Sequence, residues 1–394
     1  MEIKPLLEEA EKMKEQVVEW RRHFHRHPEL SFREVETARF VTRQLESFGN
    51  LQISHPTQTS VMARLIGDRP GKVLAIRADM DALPIQEENT FEYASGVPGV
   101  MHACGHDSHT AVLLAAAGIL SARREQIRGE IRFLFQHAEE QAPGGAQEMV
   151  DAGVMEGVDW VIGAHLLSWI EYGKFGVAYG PMMASSDNFS ITVRGVAGHA
   201  AYPHQSVDAV AVSAQIITNL QHIVARYTDP LDRLVVSVTQ IHGGTTNNIL
   251  PAEVKLGGTV RCFNPELRTA VKEQMERIIR GITEAHGAEY EFSFEYGYRP
   301  VINDPAVTKI VEDAIADLYG AESIQILKPF MGSEDFSAFQ QKAPGTFFMV
   351  GAGNPAKGIV HPHHHPLFTV DEDAMDHSLK VLLRAAAAFM ELSA

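Results

Sequence analysis

The chain of 394 residues carries 34 Lys and Arg against 50 Asp and Glu, a formal charge of −16, with 45% apolar residues and two cysteines. That length allows two domains and that composition a full apolar core, while the negative balance argues against nucleic acid or an anionic membrane as a general partner. Cys104 and Cys262 lie too far apart to suggest a disulfide framework, which points to a reducing, cytosolic compartment.

Residues 4 to 25 predict an amphipathic helix that Pro28 ends, with His23, His25 and His27 read as its polar end. No apolar signal-peptide region precedes it, and no run of about 18 apolar residues predicts a membrane span. A second helix follows over 34 to 48. Val73 to Ile76 reads as a buried strand closing on Asp79 and Asp81. The densest stretch comes next: Met101 to Thr110, MHACGHDSHT, packs Cys104, His106, Asp107 and His109 into six residues ahead of an alanine-rich helix from Ala111 to Ala122. Glu130 to Gln136 is a strand leading to Glu139-Glu140, and Asp159 to Ala164 is a strand ending in His165. Three strand-like runs alternating with helices thus bring chemistry to one edge of an open α/β sheet, where sites form.

After Gly180 the rhythm changes. Strands over Asn188 to Val196, Leu234 to Ile241, Glu253 to Phe263 and Glu289 to Glu295 alternate with helices over Ser206 to Arg226 and Glu266 to His286. That order is β-α-β-β-α-β, a ferredoxin-like unit of domain size with one sheet face or edge left to be covered. It reads as an insertion, giving segments 1–184, 185–296 and 297–394, the outer two forming one domain. The α/β rhythm resumes with a helix over Pro305 to Tyr319, a strand over Thr346 to Val350, a second histidine cluster at His361 to His365, and a closing helix over Asp371 to Leu392.

Cys104 as thiolate, His106, a carboxylate from Glu139-Glu140, His165 and one histidine of the second cluster make five donors, more than one tetrahedral ion needs. They suit two divalent ions sharing a water, an arrangement used for hydrolysis. Cys104 and His106 are expected on a loop, where residues two apart can both face inward. Of two adjacent carboxylates at a strand end, one can bind metal while its neighbour serves as general base. Asp107 reads as a helix N-cap, and His109 as support for the ligands rather than a ligand. Asp79 and Asp81 read as caps of the following turn. In the inserted unit His199 is a candidate oxyanion donor, Asn248 a carboxylate contact or a turn residue, and Arg261 a bidentate carboxylate partner or a surface strand residue.

Taken together, HRHPELSF (25–32), RADMDALP (77–84), MHACGHDSHTA (101–111), QHAEE (136–140), GAH (163–165), GHAAYPH (198–204), GGTTNNILP (243–251), GTVR (258–261), GSEDF (332–336) and HHPLF (364–368) resemble a family. It is the two-metal amidohydrolases that include aminoacylases, hippurate hydrolases, N-acetyl-diaminopimelate deacetylases and auxin-conjugate hydrolases. The resemblance implies a mixed-sheet metallohydrolase catalytic domain with an inserted ferredoxin-like lid and dimerisation domain. It also implies metal ligands Cys104, His106, Glu140, His165 and His364, with His364 matched through the pattern His-x-Pro-x-Phe, and Glu139 as general base. His199, Asn248 and Arg261 match lid positions that reach the site or bind substrate. The wider peptidase family has His-x-Asp where this chain has Arg77-Ala78-Asp79, so that histidine is absent and Asp79 is expected to support the ligands. The departure points away from peptides and towards N-acyl amino acids.

The resulting expectation is a cytoplasmic, homodimeric N-acyl-amino-acid amidohydrolase using zinc, manganese, cobalt or nickel. Three rivals stand beside it: a dipeptidase or carboxypeptidase on the same scaffold, a thiol hydrolase with Cys104 as nucleophile, and a non-catalytic metal-binding scaffold.

Overall fold

The computed structural model describes residues 2–392, and they form two compact units. The first comprises residues up to 180, 302–328 and from 335 onward; the second comprises 181–301 and 329–334.

The chain begins with α1 (Ile3–Arg26), whose buried Leu6, Ala10, Val17, Trp20 and Phe24 fall on one stripe at helical spacing. It stops at His27, one residue before Pro28. After α2 (Val35–Phe48) come strands β1 (Gln52–Ser54), β2 (Val61–Ile66) and β3 (Arg69–Asp79). The last six residues of β3 are all buried, as a strand covered on both faces requires. Helix α3 (His106–Ser121) starts five residues earlier than its alanine-rich run suggests, because Gly105 adopts a left-handed conformation, φ 92°, and caps it. His106 is therefore in the first helical turn and not on a loop, while Cys104 stands just outside it. Apolar or small nearly all round, α3 is buried on almost every side, with α1 on one flank and β3 on another.

Strand β4 (Arg128–Gln136) and helix α4 (Gly145–Asp151) lead to β5 (Trp160–Glu171) and β6 (Phe175–Val177). β5 does not end at His165. Its pairing with β3 stops at Arg77 and Gly163, but its other edge keeps pairing further along the chain, so His165 lies within a strand whose β3 side has opened.

β7 (Gly180–Met183) leads into the second unit, which runs β8 (Asp187–Arg194), the short β9 (Gly198–His199), α5 (Ala209–His222), β10 (Leu234–Gly243), the short β11 (Ile249–Leu250), β12 (Glu253–Cys262), α6 (Pro265–His286) and β13 (Glu289–Glu295). Its antiparallel sheet has the order β10-β12-β8-β13. Phe189, Ile191, Val193, Val254 and Leu256 from the strands meet Val212, Ile216, Leu220, Val271, Met275 and Ile279 from the two helices. Asp208 and Asn264 cap the helices by accepting from the first free amides. Below this core, the Arg268 guanidinium donates to buried Asp187 at 2.9 Å.

β14 (Val301–Asn303) returns the chain to the first unit, followed by α7 (Pro305–Tyr319), β15 (Ile324–Ile326), α8 (Ser337–Gln340), β16 (Gly345–Gly353) and α9 (Asp373–Leu392). The main sheet has the order β1-β2-β4-β3-β5-β16-β6-β15. β4, β3, β5 and β16 are parallel neighbours, so their C-terminal ends share one edge.

Candidate metal centre

The donors gather at that shared edge. Cys104 Sγ lies 3.5 Å from His165 Nε2. Two trios of potential ligand atoms, Cys104–His106–His165 and Cys104–Glu140–His364, each fall within a 4.8 Å span and have the sulfur in common. Glu140 Oε1 stands 3.1 Å from His364 Nε2 and 3.9 Å from His106 Nε2. Glu139 Oε2 is 4.0 Å from the same His106 nitrogen. His106 Nε2 and Glu140 Oε1 are buried without a hydrogen-bond partner, although their neighbours are this close. Two such orphaned atoms, inside a close cluster of sulfur, imidazole and carboxylate donors, fit divalent metal.

Each imidazole is aimed by what its other nitrogen holds. His106 Nδ1 donates to the Asp81 carbonyl at 3.0 Å, with Asp81 Oδ1 at 3.2 Å, which turns Nε2 inward. His165 Nδ1 donates to the Leu166 carbonyl at 2.9 Å, and His363 Nε2 donates to the same oxygen at 3.0 Å. The Leu166 N–H donates to His109 Nε2 at 2.9 Å, so His109 carries its proton on Nδ1 and gives it to Asp79 Oδ1 at 2.7 Å. Three histidines thus grip the backbone N–H and C=O of Leu166, and the other nitrogen of His109 ties that arrangement to Asp79. His364 has a left-handed φ of 65°, and its N–H donates to the Ala103 carbonyl at 2.8 Å, stitching the last loop to the Cys104 segment.

Asp79 is buried, and Arg77 Nη1 donates to it at 2.7 Å. Burial opposes its charge, yet His106, Arg77 and His109 hold it well below the usual carboxylate range. Arg77 also donates to Gln136 Oε1 at 2.7 Å and to Asp335 Oδ1 at 3.0 Å. Asp335 further accepts from Gln136 Nε2 at 2.8 Å and the Ala146 N–H at 3.0 Å. Asp81 is no turn cap: besides orienting His106, its Oδ2 accepts from Ser31 Oγ at 2.6 Å and the Glu140 N–H at 3.0 Å.

Two other expectations are corrected. His25 is fully buried, its two ring nitrogens facing Asp107 at 2.8 Å and Glu87 at 3.0 Å. Burial disfavours its charge, but the two carboxylates win and raise its pKa. Only His27 of the trio is exposed, and His23 stacks on Phe40 at 4.3 Å. Asp107 is not the N-cap, since Gly105 holds that position. One of its oxygens accepts from the Ser108 N–H at 2.8 Å, and the other faces His25 and Arg21. His102 is buried with neither ring nitrogen hydrogen-bonded, and burial pushes it down to about 4.

The field of the cluster is negative. Burial works against a charged His106, yet Asp79, Asp81 and Glu140 push it up to about 10. Burial, reinforced by Glu140, Glu139 and Asp79, lifts the Cys104 thiol well above its ordinary range. Without metal these groups keep protons that divalent ions must displace.

His199, Asn248 and Arg261 all lie in the second unit. β9 and β11 pair His199 with Ile249, and the Asn248 carbonyl accepts from the Ala200 N–H at 3.0 Å. His199 Nδ1 accepts from the Ala201 N–H at 3.0 Å, which places its proton on Nε2. Arg261 is on β12, donates to the Val260 carbonyl at 3.3 Å, and is half-buried; burial lowers its pKa against a weaker opposing pull from Asp187.

Sequence reasoning passed over Asp81, Asp335, Gln136 and His363 as parts of this cluster and treated Arg77 only as a departure. An arginine inside the apolar run of β3 was the available signal, because a charge there demands partners.

Residues 75–388 match the model of peptidase family M20/M25/M40. The N-acyl-L-amino acid amidohydrolase of Geobacillus stearothermophilus is 66% identical over 302 residues, covering 77% of this chain and 81% of that one. Thermostable carboxypeptidase 1 of Saccharolobus solfataricus is 40% identical over 95% of both chains. The YXEP protein of Bacillus subtilis, a dinuclear metal binding peptidase, superposes with a TM-score of 0.85 at 37% identity, over 97% of this chain and 99% of that one.

Proposed function

Since the chain belongs to peptidase family M20/M25/M40, we propose that it cleaves the amide bond of N-acyl-L-amino acids, releasing a carboxylic acid and the free amino acid. The observation that carries this reading is the pair of donor trios sharing the Cys104 sulfur, with Glu139 beside them, grouped with His106 and Glu140. Cys104, His106, Glu140, His165 and His364 would hold two divalent ions, which would supply Lewis acidity and a more acidic water. Glu139 takes the proton of the attacking water. As the carbon–nitrogen bond breaks, it returns that proton to the leaving nitrogen. Asp79 and His109 keep the ligands in place. The mixed sulfur, nitrogen and oxygen donors favour zinc, manganese, cobalt or nickel over magnesium or calcium.

His199, with its proton on Nε2, is suited to hydrogen-bond the oxyanion, and Asn248 and Arg261 to hold the substrate carboxylate. A half-buried guanidinium with one backbone hydrogen bond is a cation in want of an anion. Homodimer formation through the second unit belongs to the same reading, supported by the exposed end of edge strand β10. So does a cytoplasmic location, supported by two unpaired cysteines. No described helix is long and apolar enough to cross a membrane.

A carboxypeptidase is the second reading, favoured by the Saccharolobus relative. A panel of N-acetyl and N-aroyl amino acids against peptides with free amino termini, on metal-loaded protein, separates the two. The first reading requires the blocked amino acids to give the higher kcat/KM; faster peptide cleavage would replace it with the second.

A further inference from the structure

Glu34 is a fully buried carboxylate that the chemistry above leaves unused. It lies two residues past the HRHPELSF segment and immediately before α2. Its Oε1 accepts two backbone N–H groups, from Phe32 at 3.0 Å and from Ala138 at 2.8 Å. Its Oε2 accepts from Thr59 Oγ1 at 2.9 Å. Both amides belong to non-glycine residues in the left-handed region, Phe32 with φ 65° and Ala138 with φ 50°. Residues with a Cβ hold that conformation only where their surroundings impose it.

Ala138 is the residue before Glu139. Its N–H is gripped by Glu34, and its carbonyl accepts from the Gly145 N–H at 2.9 Å. The clamp leaves little slack: a Cβ added at Gly145 would come within 2.0 Å of the His137 carbonyl oxygen. Two residues on, the Glu140 N–H is tied to Asp81 at 3.0 Å. The turn carrying Glu139 and Glu140 is therefore pinned at both ends, by Asp81 after it and by Glu34 before it. Without an acceptor at position 34, the Ala138 amide is buried and unbonded, and the left-handed turn loses what imposes it. Relaxation of Ala138 towards an extended φ would redirect both carboxylates.

We infer that Glu34 is a positioning residue for the catalytic turn, its Oε1 fixing the left-handed Ala138 peptide that aims Glu139 and Glu140. The inference rests on the reading of Glu139 as proton carrier. It does not depend on charge at position 34, because a neutral carboxyl can keep Oε1 as acceptor while Oε2 donates to Thr59. Burial, with Asp81 nearby, pushes this carboxyl up to about 7.

The test compares wild type, Glu34→Gln, Glu34→Ala and Glu139→Gln, each metal-loaded, on an N-acetyl-L-amino acid that wild type hydrolyses. Metal content and circular dichroism are measured alongside. Glutamine keeps a carbonyl oxygen for Ala138 and should hold kcat within about fivefold of wild type. Alanine should lower kcat by roughly 10- to 100-fold at two metals per chain, with KM within about threefold, as expected for reacting groups misplaced by about 1 Å. An alanine variant with wild-type kcat per loaded centre, or a glutamine variant as slow as alanine, overturns the inference. Should Glu34→Ala not fold, Glu34→Met fills the space without an acceptor and takes its place; if neither folds, the residue serves the fold and the inference fails. An inactive wild type, or a fully active Glu139→Gln, counts against the amidohydrolase reading and removes the inference with it. A flat response at position 34 beside an active wild type counts against Glu34 alone.

Discussion

Arg77 replaces a histidine of the wider family pattern, and what it does instead can be measured. Arg77→Met keeps most of the apolar stem but removes a guanidinium lying between two buried carboxylates, Asp79 at 2.7 Å and Asp335 at 3.0 Å. The near match in volume keeps the packing loss small. The electrostatic loss is large, because taking one partner from a buried pair costs about 3–5 kcal/mol. Asp79 keeps its bond from His109, and Asp335 keeps Gln136 and Ala146, so we expect the lower half of that range. Urea unfolding of the metal-loaded protein, followed by tryptophan fluorescence, should show a loss of about 3 kcal/mol. Arg77→Lys keeps the charge without the three-way fork and should fall between the two. In a cycle with Asp335→Asn, the double variant should lose less than the sum by roughly 1–3 kcal/mol. A loss below about 1 kcal/mol for Arg77→Met, or strict additivity in the cycle, would show that this network is not what holds β3 to β4 and to the segment around Asp335.

Other expectations concern the centre itself. Glu139→Gln should lower kcat by at least roughly a thousandfold while metal content measured by plasma emission stays at two per chain; appreciable turnover would remove Glu139 from the chemistry. Chelation should abolish activity and added divalent ion restore it, whereas a Cys104 nucleophile would leave the chelated protein active and sensitive to alkylation. Metal uptake should release protons near neutral pH, because His106 and the Cys104 thiol are both held protonated in the metal-free cluster; affinity should therefore fall as pH is lowered, and a flat profile from pH 6 to 8 would contradict that. Glu34 gives a separate handle: its folded pKa of about 7 lies above the ordinary 4.5, so its contribution to stability is full below 4.5 and is lost as pH rises through 7. Glu34→Gln cannot ionise, and its stability relative to wild type should rise by up to roughly 3 kcal/mol between pH 5 and pH 8; a pH-independent difference would refute this.

Spacing and composition made the strand-end donors visible, because cysteine, histidine and paired glutamates in short motifs after apolar runs are chemically conspicuous. The alternation of strand and helix patterns changes after Gly180, and the second compact unit begins at Pro181. What stayed hidden depends on pairing across long stretches of chain. His25 looks like a solvated helix end until Asp107 and Glu87 are folded onto it. Asp81 looks like a turn residue until α3 brings His106 against it. His165 looked like a strand terminus because the run before it is apolar and it is not; only the second neighbour of β5 keeps the strand going. Glu34 carried no local signal, because the two amides it accepts are 106 positions apart in the chain.

The order of the main sheet has a consequence for how the molecule is made. β5 and β6 are separated by only three residues in sequence, yet β16 lies between them in space, and every residue of β16 is buried. A ribosome that has delivered the first 180 residues has therefore produced a sheet with an open seam at its centre. One of its two halves ends in β5, a strand buried over most of its length and apolar apart from His165, Ser168 and Glu171. The second unit, self-contained in its core, emerges and can close while that seam waits. An unpaired, largely apolar edge held open for the translation time of some 160 residues, on the order of 10–30 s, is a standing invitation to misassembly. The nascent protein should thus depend on holdase chaperones, and truncations ahead of Gly345 should be recovered as aggregates and not as a smaller folded enzyme.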